Sequence, residues 1–437
     1  MKKILSCLLS MTLLLSSLYA QFTQIGQTID GNGPNDNFGF SVAIDDGGQR
    51  MVVGAPLFDA DFGQVRVYQE SGGTWTQIGN DIEGTEIANQ FGHSVSINAA
   101  GNRIAIGGIA GSDTQHAGQA RVYELDNGQW VLMGSPILGE TSGDQFGTSV
   151  ALSGSGDRLA VGAPKNSNDA GRIRVFEWQN NDWVPLGADI DGASDNDQFG
   201  KSVSISRDGN VVASGDFNNP GASNGGGQVR VFEWQNNMWV QRGMDIEGQA
   251  SNGFLGLSVD LSDDGNRLVT SASGDNHGNG IGTVLVYEFA NNVWTQMGSE
   301  IQGSSNSEAF GEIVSISGDG TRIAVGTESA DDVAISSGRV NIYEWTNGEW
   351  TEMTPAILGS ASFDNLGNSL SFNQSGNRLA IGGNLAGGTA GLTKVYEDSQ
   401  MPVSVDAELA DQGIQLYVSE GKLVLESETD EPNYQVG

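Results

Sequence analysis

The sequence predicts an all-β protein, a seven-bladed β-propeller of four-stranded antiparallel blades closed by its N-terminal strand. Three observations predict it. A Phe-Gly pair recurs at Phe38-Gly39, Phe91-Gly92, Phe146-Gly147, Phe199-Gly200 and Phe310-Gly311, with looser copies at Phe254-Leu255-Gly256 and Leu366-Gly367. The glycines stand 53 to 56 residues apart, the spacing of a repeated supersecondary unit. Between residues 21 and 400, apolar residues alternate with polar ones and are broken by Gly, Asn, Asp and Ser. That is the pattern of strands and turns, with no helical period. Finally, the two ends of the repeat array complete one another.

Each repeat offers four strands, A to D. In the third copy A covers about 147–153, B about 158–163, C about 172–178 and D about 183–190. Strand A alternates small and large residues: Ser41 and Ala43 against Val42 and Ile44, Ser149 and Ala151 against Val150 and Leu152. A strand with one thin and one thick face suits sheets stacked about an axis, where space tapers. The same serines offer a second reading, as the hydroxyl-lined wall of a channel. An Arg follows the A–B turn in six copies (Arg50, Arg103, Arg158, Arg267, Arg322, Arg378); its expected role is a hydrogen bond or ion pair within the blade.

The C–D connection is a two-residue hairpin. Asn180-Asn181 sets Trp178 opposite Trp183, and the same count pairs Trp234 with Trp239, Trp345 with Trp350, Phe289 with Trp294 and Leu125 with Trp130. Asn and Gly tolerate the positive φ of a type I′ turn. All nine tryptophans fall in these hairpins, as a structural clasp or as sugar-stacking platforms. Strand D carries Pro136, Pro185 and Pro355, and a proline that cannot donate to a ladder belongs on an edge. D is therefore outermost and A innermost.

The segment Phe22 to Gly31 matches strand D of later copies, such as Trp75 to Gly84, but has no A, B or C before it. The last copy ends near Tyr396 with no D. Residues 22–29 are expected to close the last blade beside residues 391–397. The expected domains are a signal peptide at 1–20, the propeller at 21–397 and an acidic tail at 398–437. Lys2 and Lys3 followed by an apolar run from Ile4 to Leu18 and a small Ala20 read as a secretory leader. The single cysteine, Cys7, lies within it, so the mature chain has no Cys-based metal or nucleophile site.

The net charge is −34, which repels nucleic acid and anionic lipid. No later apolar stretch is long enough to span a membrane. His93, His116 and His277 belong to different repeats without metal-ligand spacing, and no nucleophile–base set or phosphate loop is visible. The expectation is a protein that is not an enzyme.

The words Phe-Gly-x-Ser-Val and Ala-Val-Gly-Ala-Pro, clearest at 146–164 and again in Gly54-Ala55-Pro56, resemble the FG-GAP repeat. The resemblance covers about 22–397 and implies the seven-bladed propeller of integrin α-subunit heads and of many bacterial surface proteins. Many members hold calcium in an Asp-x-Asp-x-Asp-Gly loop between A and B. Here that turn reads Asp45-Asp46-Gly47-Gly48, Ser153-Gly154-Ser155-Gly156 or Asp263-Asp264-Gly265, too short for a multidentate oxygen cage. No cofactor is expected, and the calcium sites are not carried over.

Two residues before each Phe-Gly position stands Asp36, Asn89, Asp144, Asp197, Asn252, Glu308 or Asp364. These form a carboxylate and amide ring able to hold a cation, or turns bonded to their own backbone. The B–C loops vary most and contain Asp59, Asp61, Asp113, His116, Asp216, Asp275, His277, Asp331 and Asp332. Variable loops on a rigid scaffold are where binding concentrates. The reading is a secreted or cell-surface, non-catalytic adhesion propeller that engages an extracellular protein or glycan through this face. A calcium-assisted hydrolase and a purely structural surface component are the alternatives. In the tail, Ile414 to Tyr417 and Lys422 to Glu426 read as two short strands. They resemble the start of the C-terminal sorting domain of Bacteroidota type IX secretion, without its Pro-Asn-Pro.

Overall fold

Period-2 strands separated by Gly and Asn turns give seven antiparallel sheets. The computed structural model describes residues 22–86, 88–109, 117–219, 225–249, 253–273, 281–305, 308, 310–384 and 390–398, and the backbone of 414–419 and 422–427. The expected leader, most of the tail, and Asp113, His116, Asn252, Asp275 and His277 lie outside the described residues. In blade 3 the sheet order is A (Ser149–Leu152), B (Arg158–Ala163), C (Arg172–Gln179), D (Asp182–Pro185). Blades 1 to 6 repeat this A-B-C-D order.

Blade 7 is closed as the ends of the array predict. Its sheet runs Phe22–Asp30, Leu392–Asp398, Arg378–Gly383, Leu366–Phe372. The A strands Ser41–Ile44, Phe91–Ile97, Ser149–Leu152, Val203–Ile205, Leu255–Leu261, Ile313–Ile316 and Leu366–Phe372 touch in sequence, and the last touches the first. They form the inner ring of a seven-bladed propeller.

Seven apolar cores lie among the described residues, each between the faces of adjacent blades. One joins Ala105 and Val122 of blade 2 to Val150, Leu152 and Phe146 of blade 3. Another joins Ile25, Ile29, Ala380 and Val395 of blade 7 to Phe38, Met51 and Trp75 of blade 1. The thick face of each A strand packs toward the preceding blade. On the thin face, the serines fasten blades to one another. Ser41, Ser94, Ser149 and Ser369 donate to the carbonyls of Gly92, Gly147, Gly200 and Gly39 in the next blade, at 2.8 to 2.9 Å.

The two glycine words meet at these junctions. A Cβ on Gly54 would lie 2.1 Å from the Gly92 carbonyl oxygen, and one on Gly39 (φ +87°) would lie 2.3 Å from that of Leu392. Only glycine allows backbones to pass so closely.

The Arg after the A–B turn works within and between blades. Arg103, Arg158, Arg322 and Arg378 pair with Glu124, Glu177, Glu344 and Glu397 on strand C of their own blade. Each also donates to a glycine carbonyl in the next A–B turn, Gly156, Gly209, Gly376 and Gly48. The last of these crosses the closure from blade 7 to blade 1.

The C–D hairpins have the expected register, with Trp178 opposite Trp183 and Trp234 opposite Trp239. Asn180 and Asn181 take φ of 53° and 63°, as a type I′ turn requires. Strand D differs from its expected form. In blades 1 to 5 it breaks after four residues and resumes as a two-residue strand, as at Ile190–Asp191, which pairs back on strand C. The break falls at a positive-φ glycine, Gly187 in blade 3 (φ 81°) and Gly79 in blade 1 (φ 73°). In a separate unit, Ile414–Ser419 and Lys422–Ser427 pair as an antiparallel hairpin. No helix among the described residues is long and apolar enough to cross a membrane.

Candidate functional site

Connections alternate ends in an up-and-down sheet. A–B turns and C–D hairpins therefore share one face, and B–C and D–A loops share the other. The A–B face is drawn together across the axis. The Ala99 N–H donates to the Gly154 carbonyl, Gly154 to Arg207, Arg207 to Asp263 and Asp263 to Gly318, at 2.8 to 3.1 Å. The Arg207 guanidinium of blade 4 reaches Asp46 of blade 1 and Asp263 of blade 5. Gln374 of blade 7 donates to the same Asp263 carboxylate at 3.0 Å. The polar groups of these turns serve their own backbone: Asp45 Oδ1 accepts the N–H groups of Gln49 and Arg50.

On the loop face, the described members of the carboxylate and amide ring are tied into their own loops or to the start of strand C. Asp36 Oδ2 accepts from Gly33 N–H (2.8 Å), Asp144 Oδ2 from Thr141 N–H (2.9 Å) and Asp197 Oδ2 from Ser194 N–H (2.7 Å). Asp364 Oδ2 accepts the N–H groups of Ser360 and Ala361. Asn89 accepts from Gln119, and Glu308 pairs with Arg339 at 2.7 Å. Asn166 and Asn219 of the B–C loops donate to Asp144 and Asp197, which joins D–A and B–C loops within a blade. Asp59 and Asp61, with φ of 46° and 67°, sit in a tight left-handed turn of the blade 1 loop, Asp59 exposed.

Asp216, expected in a loop, is instead the last residue of its B strand, fully buried and paired with Arg230 at 3.0 Å. Burial pushes its carboxyl up to about 6 against the pull of Arg230. Asp331 accepts the Ser336 N–H, and Asp332 pairs with Arg339 at 2.8 Å. Among the described residues, no three His, Asp or Glu side chains gather in a metal-holding group.

The loop-face mouth of the inner ring carries groups that the sequence reading passed over. The residue after each Phe-Gly glycine lies at the loop-face end of strand A. These are Phe40, His93, Thr148, Lys201, Leu257, Glu312 and Asn368. His93 stacks near Phe40 (ring centroids 5.0 Å), and its Nδ1 lies 3.2 Å from the Thr148 carbonyl oxygen. Burial, with Lys201 adding to it, pulls His93 down to about 4, so it is neutral at physiological pH. Lys201 is itself shifted down by burial and then by Lys165. In blade 6, burial and the neighbouring Glu328 push Glu312 up to about 7. Asn368 of blade 7 donates to Glu328 Oε2 at 2.7 Å. The mouth thus has a basic sector around Lys201 and an acidic one around Glu312 and Glu328. The signal in the sequence was variability: within a strand that otherwise repeats, this one position changes chemistry in every blade.

Residues 140–176 match the FG-GAP repeat, which is blade 3 from its D–A loop through strand C. The chain is a seven-bladed propeller with an FG-GAP repeat in its third blade. No curated protein sequence matches it. Among solved structures, this propeller is similar to one titled Kuenenia stuttgartiensis hydrazine synthase, at 12% identity and a TM-score of 0.53, over 84% of this chain and 97% of that one. It is also similar to U3-55K, at 13% identity and a TM-score of 0.55, over 85% of this chain and 98% of that one. At these identities the likeness is one of fold, and function must be argued from the site.

Proposed function

We propose that this propeller is a secreted or cell-surface binding protein without catalytic activity, engaging an extracellular protein or glycan through its B–C and D–A loops. One observation carries the reading: the two ends of the inner ring are furnished differently. At the A–B end, charged groups are spent on one another across the axis, through Arg207, Asp46 and Asp263. At the loop end, Lys201 and the Glu312–Glu328 pair occupy the most variable position of the inner strand and its surroundings. A rigid ring with variable, charged loops on one side is a recognition surface. The acidic net charge of −34 directs it away from nucleic acid and anionic membranes.

The test is to probe arrays of glycans and of matrix polypeptides with the full chain. Ligands found should be lost with Lys201→Ala or Glu312→Gln and kept with Ala100→Arg on the A–B side. The reverse pattern, or calcium-dependent turnover of phosphate esters or glycosides, overturns the proposal.

A further inference from the structure

Blade 6 shares its loop pairing with blade 3, where Asn196 and Gln198 N–H donate to the Asn168 and Asp169 carbonyls, but it fills that frame with large apolar side chains. Its B–C loop leaves the inner ring at Glu328, runs outward through Asp331 and Asp332, and places Val333 and Ile335 in solvent, 54% and 62% exposed. The following D–A loop packs alongside it: Phe363 N–H donates to the Ile335 carbonyl at 2.8 Å, and Asn365 N–H to that of Ser336 at 3.1 Å. Phe363 is also half in solvent, 48% exposed. Three large apolar side chains from two adjoining loops thus form one exposed patch.

Phe363 is there against the preference of its backbone. It has φ +64°, one residue before the ring carboxylate Asp364. Equivalent positions hold Asn35 (φ 70°), Ala88 (φ 59°), Gly143 (φ 87°) and Asn196 (φ 70°). The repeat fixes a left-handed conformation at this point and fills it with residues that accept it. A bulky aromatic at positive φ is strained, and such strain concentrates at functional sites. Phe at this position carries a strain cost, and with its ring left in water there is little burial to offset it.

The rim of the patch is acidic. Asp331 and Asp332 are exposed beside it, and the Glu312–Glu328 pair lies at the inner end of the same loop. The local cation Arg339 is already spent on Glu308 and Asp332. We propose that this patch docks a polypeptide segment that presents a large apolar side chain flanked by lysine or arginine. The proposal rests on the loop-face reading above and names its sector and partner class.

Charge selects among possible occupants. A second copy of this chain would bring another −34 against the rim, and an anionic membrane would be repelled in the same way. A glycan would use the Phe363 ring but gain no hydrogen bonds from Val333 and Ile335. A basic, apolar-tipped peptide satisfies both the patch and its rim.

The test uses the full chain and immobilised synthetic peptides. One set alternates lysine with leucine or phenylalanine, a second is polylysine-like without apolar residues, a third is acidic and apolar, and an oligosaccharide array stands beside them. The variants are Phe363→Asn, the residue that blades 1 and 4 carry there, and the double change Val333→Ser with Ile335→Ser. The expected result is retention of the basic, apolar peptides alone, weakened about tenfold or more by either variant, with Phe363→Asn melting no lower than the parent. Equal binding by parent and variants, preference for polylysine or oligosaccharide, or retention of no peptide overturns the proposal. Ligand binding lost with Lys201→Ala or Glu312→Gln but untouched by Phe363→Asn overturns this patch alone and leaves the loop-face reading standing.

Discussion

Asp260 stands on the inner strand of blade 5, where other blades hold Ala43, Ser96, Ala151, Ser204, Ser315 and Ser371. The serines there accept an N–H from the next blade: Ser96 from Leu152, Ser204 from Leu261, Ser315 from Phe372 and Ser371 from Ile44. Asp260 does the same for Ile316 at 2.9 Å, and also accepts from Leu261 N–H and the hydroxyls of Ser204 and Ser315. Even so, burial dominates and pushes its carboxyl up to about 6. A folded-state pKa above the unfolded one means the native chain binds the proton more tightly. Stability from this group is full below about pH 4 and is lost as pH climbs through about 6. Asp260→Ser should therefore gain on the parent by on the order of 2–3 kcal/mol between pH 4 and pH 7. Urea titrations of both proteins across that range check it, and parallel pH curves would show that the carboxyl is not held as described. The sequence displayed Asp260 only as one irregularity in a loose copy, because a buried carboxylate and a buried serine occupy the same register of strand A.

At the scale of the element, the C–D hairpin does more than pair its own aromatics. Trp75, Trp130, Trp239 and Trp294 each donate their indole N–H to the preceding blade, to the strand D carbonyl of Ile25 or to the carbonyls of Ile78, Leu186 and Arg242 at the strand D break, at 2.8 to 3.2 Å. Trp183 stands at the same hairpin position, but its indole N–H is buried without a partner among the described residues. The two sites therefore separate packing from hydrogen bonding. Trp239→Phe should cost about 1 kcal/mol or more, because it leaves the Leu186 carbonyl unanswered. Trp183→Phe should cost measurably less, since it loses packing but removes a donor that has no acceptor. Chemical denaturation of the pair decides the matter, and equal costs would mean that the indole N–H contributes nothing at the junction.

The hairpin itself was legible because a two-residue loop of Asn or Gly fixes the register on both sides. Its reach to the next blade was not, because a period along the chain says nothing about which face meets which neighbour. The break in strand D was also hidden. A glycine at Gly79 or Gly187 reads as one more turn signal, and only the fold shows that the chain leaves the ladder there and returns to it. The candidate site divides along the same line. Asp144 and Asp364 stood out as a repeated type, readable as a cation ring or as turns, and their carboxylates accept N–H groups of their own loops. Lys201, Glu312 and Phe363 are departures from the repeat, and a departure carries meaning only once its place in the ring is known.

The whole molecule depends on joining blade 7 to blade 1, which brings together residues some 330 apart in sequence. Five contacts make the joint. Phe22–Asp30 supplies the outer strand of blade 7, and its Ile25 and Ile29 enter the core shared with Phe38, Met51 and Trp75. The Ser369 hydroxyl donates to the Gly39 carbonyl at 2.8 Å, and Arg378 to that of Gly48 at 2.9 Å. Asn373 Nδ2 donates to the Asp46 carbonyl at 3.2 Å. The last three are made by strands A and B of blade 7 and the turn between them, independently of the outer strand. Removing residues 22–30 therefore strips one wall of an apolar core while leaving the inner joint its partners. The expected outcome is a ring that still assembles but is destabilised by more than about 4 kcal/mol, the range of a broken core. A synthetic peptide of residues 22–30 added in trans should raise its melting temperature with increasing concentration, because it binds only the folded ring. A deletion variant that melts with the parent, or one indifferent to the peptide, would show that the outer strand does not close this propeller.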